Sequence, residues 1–171
     1  MKIFMRSKIV SLKHEIDVTD ENRKKIYEVT SRFISIHDKT VLVNTQTDKV
    51  VAEIHRKPIS IHEVYYVDMA DGTKFEFSSQ LFKIIHEEID IKGLNWMISG
   101  NLLQHDFDVL DETGSVVASS HKKWVSLHEA YEIEVMDEAR LDIIVAIYAV
   151  LDHIIATRES NAADGVINTD N

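Results

Sequence analysis

Residues 50–69 read VVAEIHRKPISIHEVYYVDM, and residues 116–135 read VVASSHKKWVSLHEAYEIEV. The two segments align without a gap, so that Val116 takes the place of Val50 and Tyr131 that of Tyr65. Self-similarity over this length is typical of a fold that repeats one supersecondary unit. The unit itself is shorter, because six times an apolar stretch is followed by a histidine and an acid. The six pairs are His14-Glu15, His37-Asp38, His62-Glu63, His86-Glu87, His105-Asp106 and His128-Glu129.

The stretch after each of these pairs alternates between apolar and polar residues. In the last one, Tyr131, Ile133 and Val135 fall on one side, with Glu132 and Glu134 on the other. A strand with one buried face requires this period of two, and helical spacing does not fit it. Polar segments typical of chain reversal lie between successive pairs. Each unit is therefore predicted to be a β-hairpin, and six hairpins supply about twelve strands.

Residues 140–157, RLDIIVAIYAVLDHIIAT, have apolar residues on every side of a helical wheel, which indicates a helix buried all round. The apolar part is about 15 residues, shorter than the roughly 20 that a bilayer crossing needs. A barrel of about twelve strands is too wide for side chains alone to fill. We therefore predict an all-β fold with one buried helix: a closed antiparallel barrel of six hairpins that encloses the C-terminal α-helix 140–157.

Length and composition limit the classes of protein. Residues 1–157 are predicted to form a single domain, and the small, polar residues 158–171 a disordered tail. The chain has no cysteine, which excludes disulfides and thiolate metal sites and fits a reducing cytoplasm. The N-terminus lacks the apolar core of a signal peptide. A net charge of −10 disfavours nucleic acid, and anionic lipid as well unless one face is locally basic.

Two segments carry a family resemblance: residues 100–135, GNLLQHDFDVLDETGSVVASSHKKWVSLHEAYEIEV, and residues 25–43, KIYEVTSRFISIHDKTVLV. They resemble the LURF-one-related family, which belongs with the tubby C-terminal domains and the phospholipid scramblases. The most specific parts are the G-[ND]-x(4)-[DH]-[FY] stretch that begins at Gly100 and the KKW and YEI elements that begin at Lys122 and Tyr131. The resemblance implies a tubby C-terminal-like barrel threaded by a central hydrophobic helix, and a family without established enzymatic activity. Where relatives have glycine before the acid at the corners, this chain has histidine.

Two repeated basic pairs, Arg56-Lys57 and Lys122-Lys123, are the candidate binding residues. By analogy with tubby domains, such residues could hold a phosphoinositide or another anionic headgroup. The alternative is that they neutralise neighbouring acids such as Glu53 or Glu132 across strands.

The six histidine-acid corners have a functional and a structural interpretation. Up-and-down hairpins would bring all six to the same end of the barrel, where imidazoles could bind a metal or sense pH near 6. Histidine also adopts positive φ more readily than most residues, so it can serve as a turn residue. The width of the barrel, roughly 20 Å or more, would keep most of these histidines too far apart to share a metal. We favour the turn interpretation, and no catalytic residue, metal site or cofactor is predicted.

Three further features are weaker candidates. Trp96 and Trp124 are interpreted as packing residues rather than ligand platforms. The pair Asp152-His153 resembles a proton relay, but the macrodipole alone favours a histidine near a helix C-terminus.

These observations favour a non-enzymatic cytoplasmic binding or scaffolding module that interacts with membrane lipid headgroups or with a protein partner, either free or peripheral at the membrane. One alternative is a scramblase-like membrane-associated protein, in which the helix would leave the barrel for lipid. Another is a carrier or enzyme with a small hydrophobic ligand inside the barrel, which would need an internal cavity larger than about 300 Å³. The sequence identifies neither the ligand nor the oligomeric state.

Overall fold

The computed structural model describes residues 1–10, 13–32, 39–57, 64–78, 89–121 and 130–166. Twelve strands are followed by one helix. The strands are β1 (Lys2–Val10), β2 (Lys13–Asp20), β3 (Lys25–Arg32), β4 (Lys39–Asn44), β5 (Lys49–Arg56), β6 (Val64–Met69), β7 (Lys74–Ser78), β8 (Ile89–Ile91), β9 (Trp96–Asn101), β10 (Asp106–Leu110), β11 (Val116–Ser120) and β12 (Ala130–Val135). A 3-10 turn at Glu138–Arg140 leads into α1 (Leu141–Val166).

The strands form one antiparallel sheet in which each strand lies beside its neighbour in the chain. Its order is β7-β6-β5-β4-β3-β2-β1-β12-β11-β10-β9-β8, so the first and last strands pair with each other. The two outer members of this order, β7 and β8, are joined by a bridge between Glu76 and Lys92. The sheet therefore curves into a nearly closed barrel, and the prediction of a twelve-strand barrel of hairpins is confirmed.

The sequence repeat is also a repeat of structure. Val50 and Val116 lie near the start of equivalent strands and are both exposed, at 45% and 38%. Tyr65 and Tyr131, equivalent in β6 and β12, are both buried. In the sheet order β5 and β6 lie six strands from β11 and β12, which is half the circumference. The two copies of the repeat thus form opposite walls of the barrel.

The helix fills the interior of this barrel. The run from Ile144 to Asp152 is buried without interruption, which in a helix means that every face is covered. Inward residues of the strands form one core cluster with it.

The helix differs from the prediction at its C-terminal end. It continues to Val166, so the predicted disordered tail 158–171 begins as helix, and only residues 167–171 lie outside the described residues. The apolar pattern ends before this point. Helix propagation adds one hydrogen bond per residue without a new nucleus, and Ala162 and Ala163 favour it.

Short turns close one end of the barrel, and most of them follow one scheme. A carboxylate or amide oxygen at the end of a strand accepts backbone N–H groups two to four residues later, as expected of Asx turns. The acceptors are Asp20, Asn44, Asp71 and Asp111. Because these turns connect even-numbered strands to the next odd-numbered ones, they lie together. We call this the turn end, and α1 enters the barrel there after β12.

Candidate functional site

The opposite end of the barrel is where the odd-numbered strands lead into the even-numbered ones. We call it the connection end. His105-Asp106, where β10 begins, and His14-Glu15, near the start of β2, lie on this side, and the other four histidine-acid pairs lie outside the described residues. Of the six pairs, the structure describes both side chains only for His105-Asp106.

Arg56 and Lys57 lie at the connection end of one wall. Arg56 is the last residue of β5 and is half-buried, and the exposed Lys57 follows it. The Lys57 backbone N–H donates to the carbonyl of Val64 at 2.9 Å, which ties the position to the start of β6. The backbone of this basic pair is therefore held by the sheet.

The second basic pair, Lys122-Lys123, lies outside the described residues. The strand that leads to it, β11, ends at Ser120 on the wall opposite β5. Strand spacing makes a barrel of this size roughly 20 Å or more across. Strand placement thus puts Arg56-Lys57 and the end of β11 at the same end of the barrel but on opposite walls.

Two acids named as candidate partners of these cations form ion pairs with lysines. Glu53 forms an ion pair with Lys39 at 2.7 Å, and Glu132 forms one with Lys2 at 2.8 Å. The Glu132 carboxylate also raises the pKa of Lys2, chiefly through a hydrogen bond. Cross-strand neutralisation of these two acids therefore occurs on this barrel.

His105 shows how a histidine serves at a corner. Its φ is 51°, in the left-handed region that the turn interpretation requires. Its N–H donates to the Leu102 carbonyl at 3.0 Å, and its own carbonyl accepts the Ser120 hydroxyl at 3.0 Å. Its ring packs on Tyr131, with centroids 4.6 Å apart. At this corner the prediction of a turn residue is confirmed. Within the described ranges, no group of histidines and acids could hold a metal ion.

Asp152 and His153 of the helix lie close to the connection end. Asp152 is buried, and the half-buried ring of His153 packs edge-on against Tyr65 at 5.6 Å. Because the helix continues to Val166, the helix-terminus explanation of His153 is wrong; the ring packs against the wall instead. Burial raises the pKa of Tyr131 well above its ordinary value, and Asp152 acts in the same direction. The Tyr131 hydroxyl is thus protonated near neutral pH, which makes it a poor nucleophile.

Trp96 is a packing residue, as predicted, but its partners were not foreseen. It is buried at the turn end, its Nε1–H donates to Glu112 at 2.8 Å, and the Arg140 guanidinium lies 5.2 Å from its ring centroid. Arg140 also forms ion pairs with Asp111 and Asp137, both at 3.1 Å. We call these five residues the Arg140 cluster. The only hint in the sequence is a basic residue directly before the apolar helix. Trp124 lies outside the described residues.

A groove lies among β6, β7 and the turn that follows β8. It has a volume of about 420 Å³ at the β7–β8 boundary, and it is open to solvent. It is lined by Tyr66, Val67, Asp68, Lys74, Phe75, Glu76, Lys92 and Gly93. Among the described residues, no helix combines the length and the apolar character that a membrane crossing needs.

Comparison with known proteins places this geometry in a family. A family model described as LURP-one-related matches residues 1–152, from β1 to the buried part of α1. The chain belongs to the LURP-one-related family. The match confirms the resemblance that the KKW and YEI elements indicate.

One relative is a Bacillus subtilis (strain 168) protein named Uncharacterized protein YxjI. It is 26% identical over 162 residues, which cover 95% of this chain and 98% of the relative. The similarity thus spans the barrel and the helix together. None of the solved structures matches the chain significantly.

Proposed function

We propose that this LURP-one-related protein is a non-enzymatic cytoplasmic binding module that uses its connection end to contact the anionic headgroups of a membrane surface. The observation that carries the proposal is the combination of a filled lumen with cations at one rim. The lumen is occupied by α1, whose residues Ile144 to Asp152 are buried in succession. A binding module of this kind has to use its outer surface or its ends.

The connection end supplies cations next to apolar residues. The connection 57–63 reads K-P-I-S-I-H-E, and residues 122–129 read K-K-W-V-S-L-H-E. A third strand, β3, ends at Arg32 on the same side and continues as F-I-S-I-H-D. Basic residues near an anionic bilayer contribute about 1 kcal/mol each, and apolar neighbours add affinity at the headgroup boundary. This arrangement supports a broad surface contact over one small binding pocket, because the strands concerned lie on different walls.

The turn end offers a contrasting chemistry. Its turns carry acids, among them Asp48, Asp71, Asp111 and Glu112, which an anionic surface repels. The cations beside them, such as Lys24 and Lys49, have few of the apolar neighbours that accompany the cations of the connection end. With a net charge of −10 on the whole chain, binding would depend on which end faces the membrane. The proposal therefore predicts one orientation, with the connection end toward the lipid.

The test is flotation with vesicles of phosphatidylcholine, with and without phosphatidylserine, at low and at physiological salt. We expect binding only to the anionic vesicles, weakened by salt. The double variant Arg56→Glu/Lys57→Glu should bind roughly 30-fold more weakly, from about 1 kcal/mol for each cation removed. The single variant Lys57→Glu, at an exposed position, should show part of this loss.

Lys49→Glu is the matched control, because Lys49 is exposed at the opposite end of the same strand. It changes the net charge as Lys57→Glu does, but it should leave binding within about twofold. The proposal is wrong if wild-type protein does not float with anionic vesicles at low salt, or if Lys49→Glu weakens binding as much as Lys57→Glu. A protein partner for the module would then be the better hypothesis.

A further inference from the structure

One pair of neighbouring strands in the described sheet is held much more weakly than the others. β7 and β8 are joined by a single bridge, in which the Glu76 N–H donates to the Lys92 carbonyl at 2.9 Å. Each other neighbouring pair has a ladder of three to eight registered residue pairs over the described residues. Even β1 and β12, where the two ends of the chain meet, share five such pairs.

Side chains add little to this bridge. Lys92 Nζ lies 3.0 Å from Glu76 Oε1, but the two side chains are 67% and 30% exposed. Ion pairs exposed to this degree contribute between zero and about 1 kcal/mol. The bridge therefore stabilises the β7–β8 boundary less than a ladder of backbone hydrogen bonds stabilises the other boundaries.

Beside the bridge, the contact is backbone against backbone. Gly93 has a φ of +96°, and a Cβ there would lie 2.4 Å from the Lys74 carbonyl oxygen and 3.1 Å from the Phe75 Cα. Glycine is needed for this close approach. Because Gly93 has no side chain, nothing from that position interlocks with β7.

The core lies directly behind this boundary. Phe75 and Phe77 of β7 and Ile89 and Ile91 of β8 are all at most 4% exposed. The open groove of about 420 Å³ lies at the same place, and Val67 and Phe75 contribute to its lining. Parting the two strands would widen this groove toward the apolar interior.

We propose that the β7–β8 boundary is the line along which the barrel opens, in a local transition that leaves the other strand pairs joined. Regions with few contacts open at a lower free energy than the whole domain. Breaking the Glu76–Lys92 bridge and its ion pair frees one edge of β7 and one edge of β8. The transition gives access to the core of the barrel without unfolding α1, and it is independent of binding at the connection end.

The chain contains no cysteine, so paired cysteines can be introduced without side reactions. Glu76→Cys/Lys92→Cys would lock the β7–β8 boundary when oxidised. Lys2→Cys/Glu134→Cys is the matched control, since these residues are register partners at the β1–β12 boundary. Native-state hydrogen exchange, followed by mass spectrometry on peptides from β7, β8, β1 and β12, reports the opening of each boundary.

In the wild type we expect β7 and β8 to exchange at least about tenfold faster than β1 and β12. Oxidised Glu76→Cys/Lys92→Cys should slow exchange in β7 and β8 by a similar factor, and the oxidised control should not. Equal exchange rates at the two boundaries of the wild-type barrel would overturn the proposal, and this comparison needs no variant to fold. Faster exchange in β7 and β8 that the β7–β8 disulfide leaves unchanged would overturn it as well.

Discussion

The two ends of the barrel are built from different chemistry. At the turn end, Asx turns satisfy the backbone, the Arg140 cluster fixes the start of α1, and the Tyr27 hydroxyl donates to Asp142. At the connection end, most of the joining segments are longer, and the described contacts include the ring packing of His105 on Tyr131 and the ion pair of His121 with Asp106 at 2.9 Å. When contacts at one end stabilise a barrel, the segments at the other end can vary and can carry function. The comparison predicts that substitutions at the turn end change stability, whereas those at the connection end change binding.

The largest effect should follow from truncating Trp96. Trp96→Ala removes a buried ring, the N–H that donates to Glu112 and the aromatic face that Arg140 contacts. We expect a loss of about 3–5 kcal/mol in the free energy of unfolding. Trp96→Phe keeps most of the volume and loses the hydrogen bond, which should cost about 1–2 kcal/mol. Urea denaturation measures both values. In the same assay Lys57→Glu should change the free energy of unfolding by no more than about 0.5 kcal/mol. A larger loss there would contradict the expectation that substitutions at the connection end leave stability unchanged.

Arg140→Ala should have the next largest effect. It removes the cation from the ring of Trp96 and leaves Asp111, whose side chain is 10% exposed, without its ion pair. Since Arg140 itself is 31% exposed, solvent screening reduces the expected loss to about 1–2 kcal/mol. Arg140→Lys keeps the charge but not the planar fork, and it should recover only part of this loss. Full recovery in the thermal midpoint would show that charge alone is needed.

Two buried tyrosines differ in whether their hydroxyl groups have a hydrogen-bond partner. Tyr27 donates to Asp142 at the turn end, whereas the buried Tyr148 hydroxyl has no hydrogen-bond partner within the described structure. Tyr27→Phe should therefore cost about 1–2 kcal/mol, because it leaves a carboxylate without its donor. Tyr148→Phe should be neutral or stabilising, because it removes an unsatisfied polar atom from the core. The two variants delete the same atom, so a larger loss for Tyr148→Phe in urea denaturation would contradict the structure.

The smallest effect concerns pH. Hydrogen bonds from Thr113 and Ser115, together with the charge of Arg140, hold the pKa of Asp111 below its ordinary value. A carboxylate with a lowered folded-state pKa contributes stability above its unfolded-state pKa of about 3.9, and this contribution disappears as pH falls through the folded-state value. Wild type should lose its advantage over Asp111→Asn below about pH 4. Urea midpoints of both proteins across this range test the sign, and a difference that grows on acidification would contradict it.

Local pattern was sufficient for the elements of the fold. The alternation of Tyr131, Ile133 and Val135 predicted β12, and all three side chains are buried. The apolar run after Arg140 predicted a helix buried on every face. Its C-terminal end was not predictable in the same way, because beyond the core only propensity decides, and a polar stretch is compatible with helix or coil.

Contacts between segments that are distant along the chain could not be predicted from the sequence. Trp96 and Arg140 meet because β9 and the start of α1 lie at the same end of the barrel, which no local pattern encodes. The repeat made Arg56-Lys57 and Lys122-Lys123 equivalent, but only the strand order shows that β5 and β11, the strands that lead to them, lie on opposite walls. The weak β7–β8 boundary could not be predicted from the sequence for the same reason, because Glu76 and Lys92 approach each other only when the sheet curves.

The most direct test of the account is a map of binding over the two ends. Backbone amide resonances would be followed by NMR while bicelles of phosphatidylcholine and phosphatidylserine are added. We expect changes in chemical shift and line broadening for the amides of Lys57, His105 and His121, at the connection end. The amides of Asp48 and Asp71, in the turns, should not change. Changes centred on Asp48 and Asp71, or spread evenly over both ends, would contradict the claim that one end is built for stability and the other for binding.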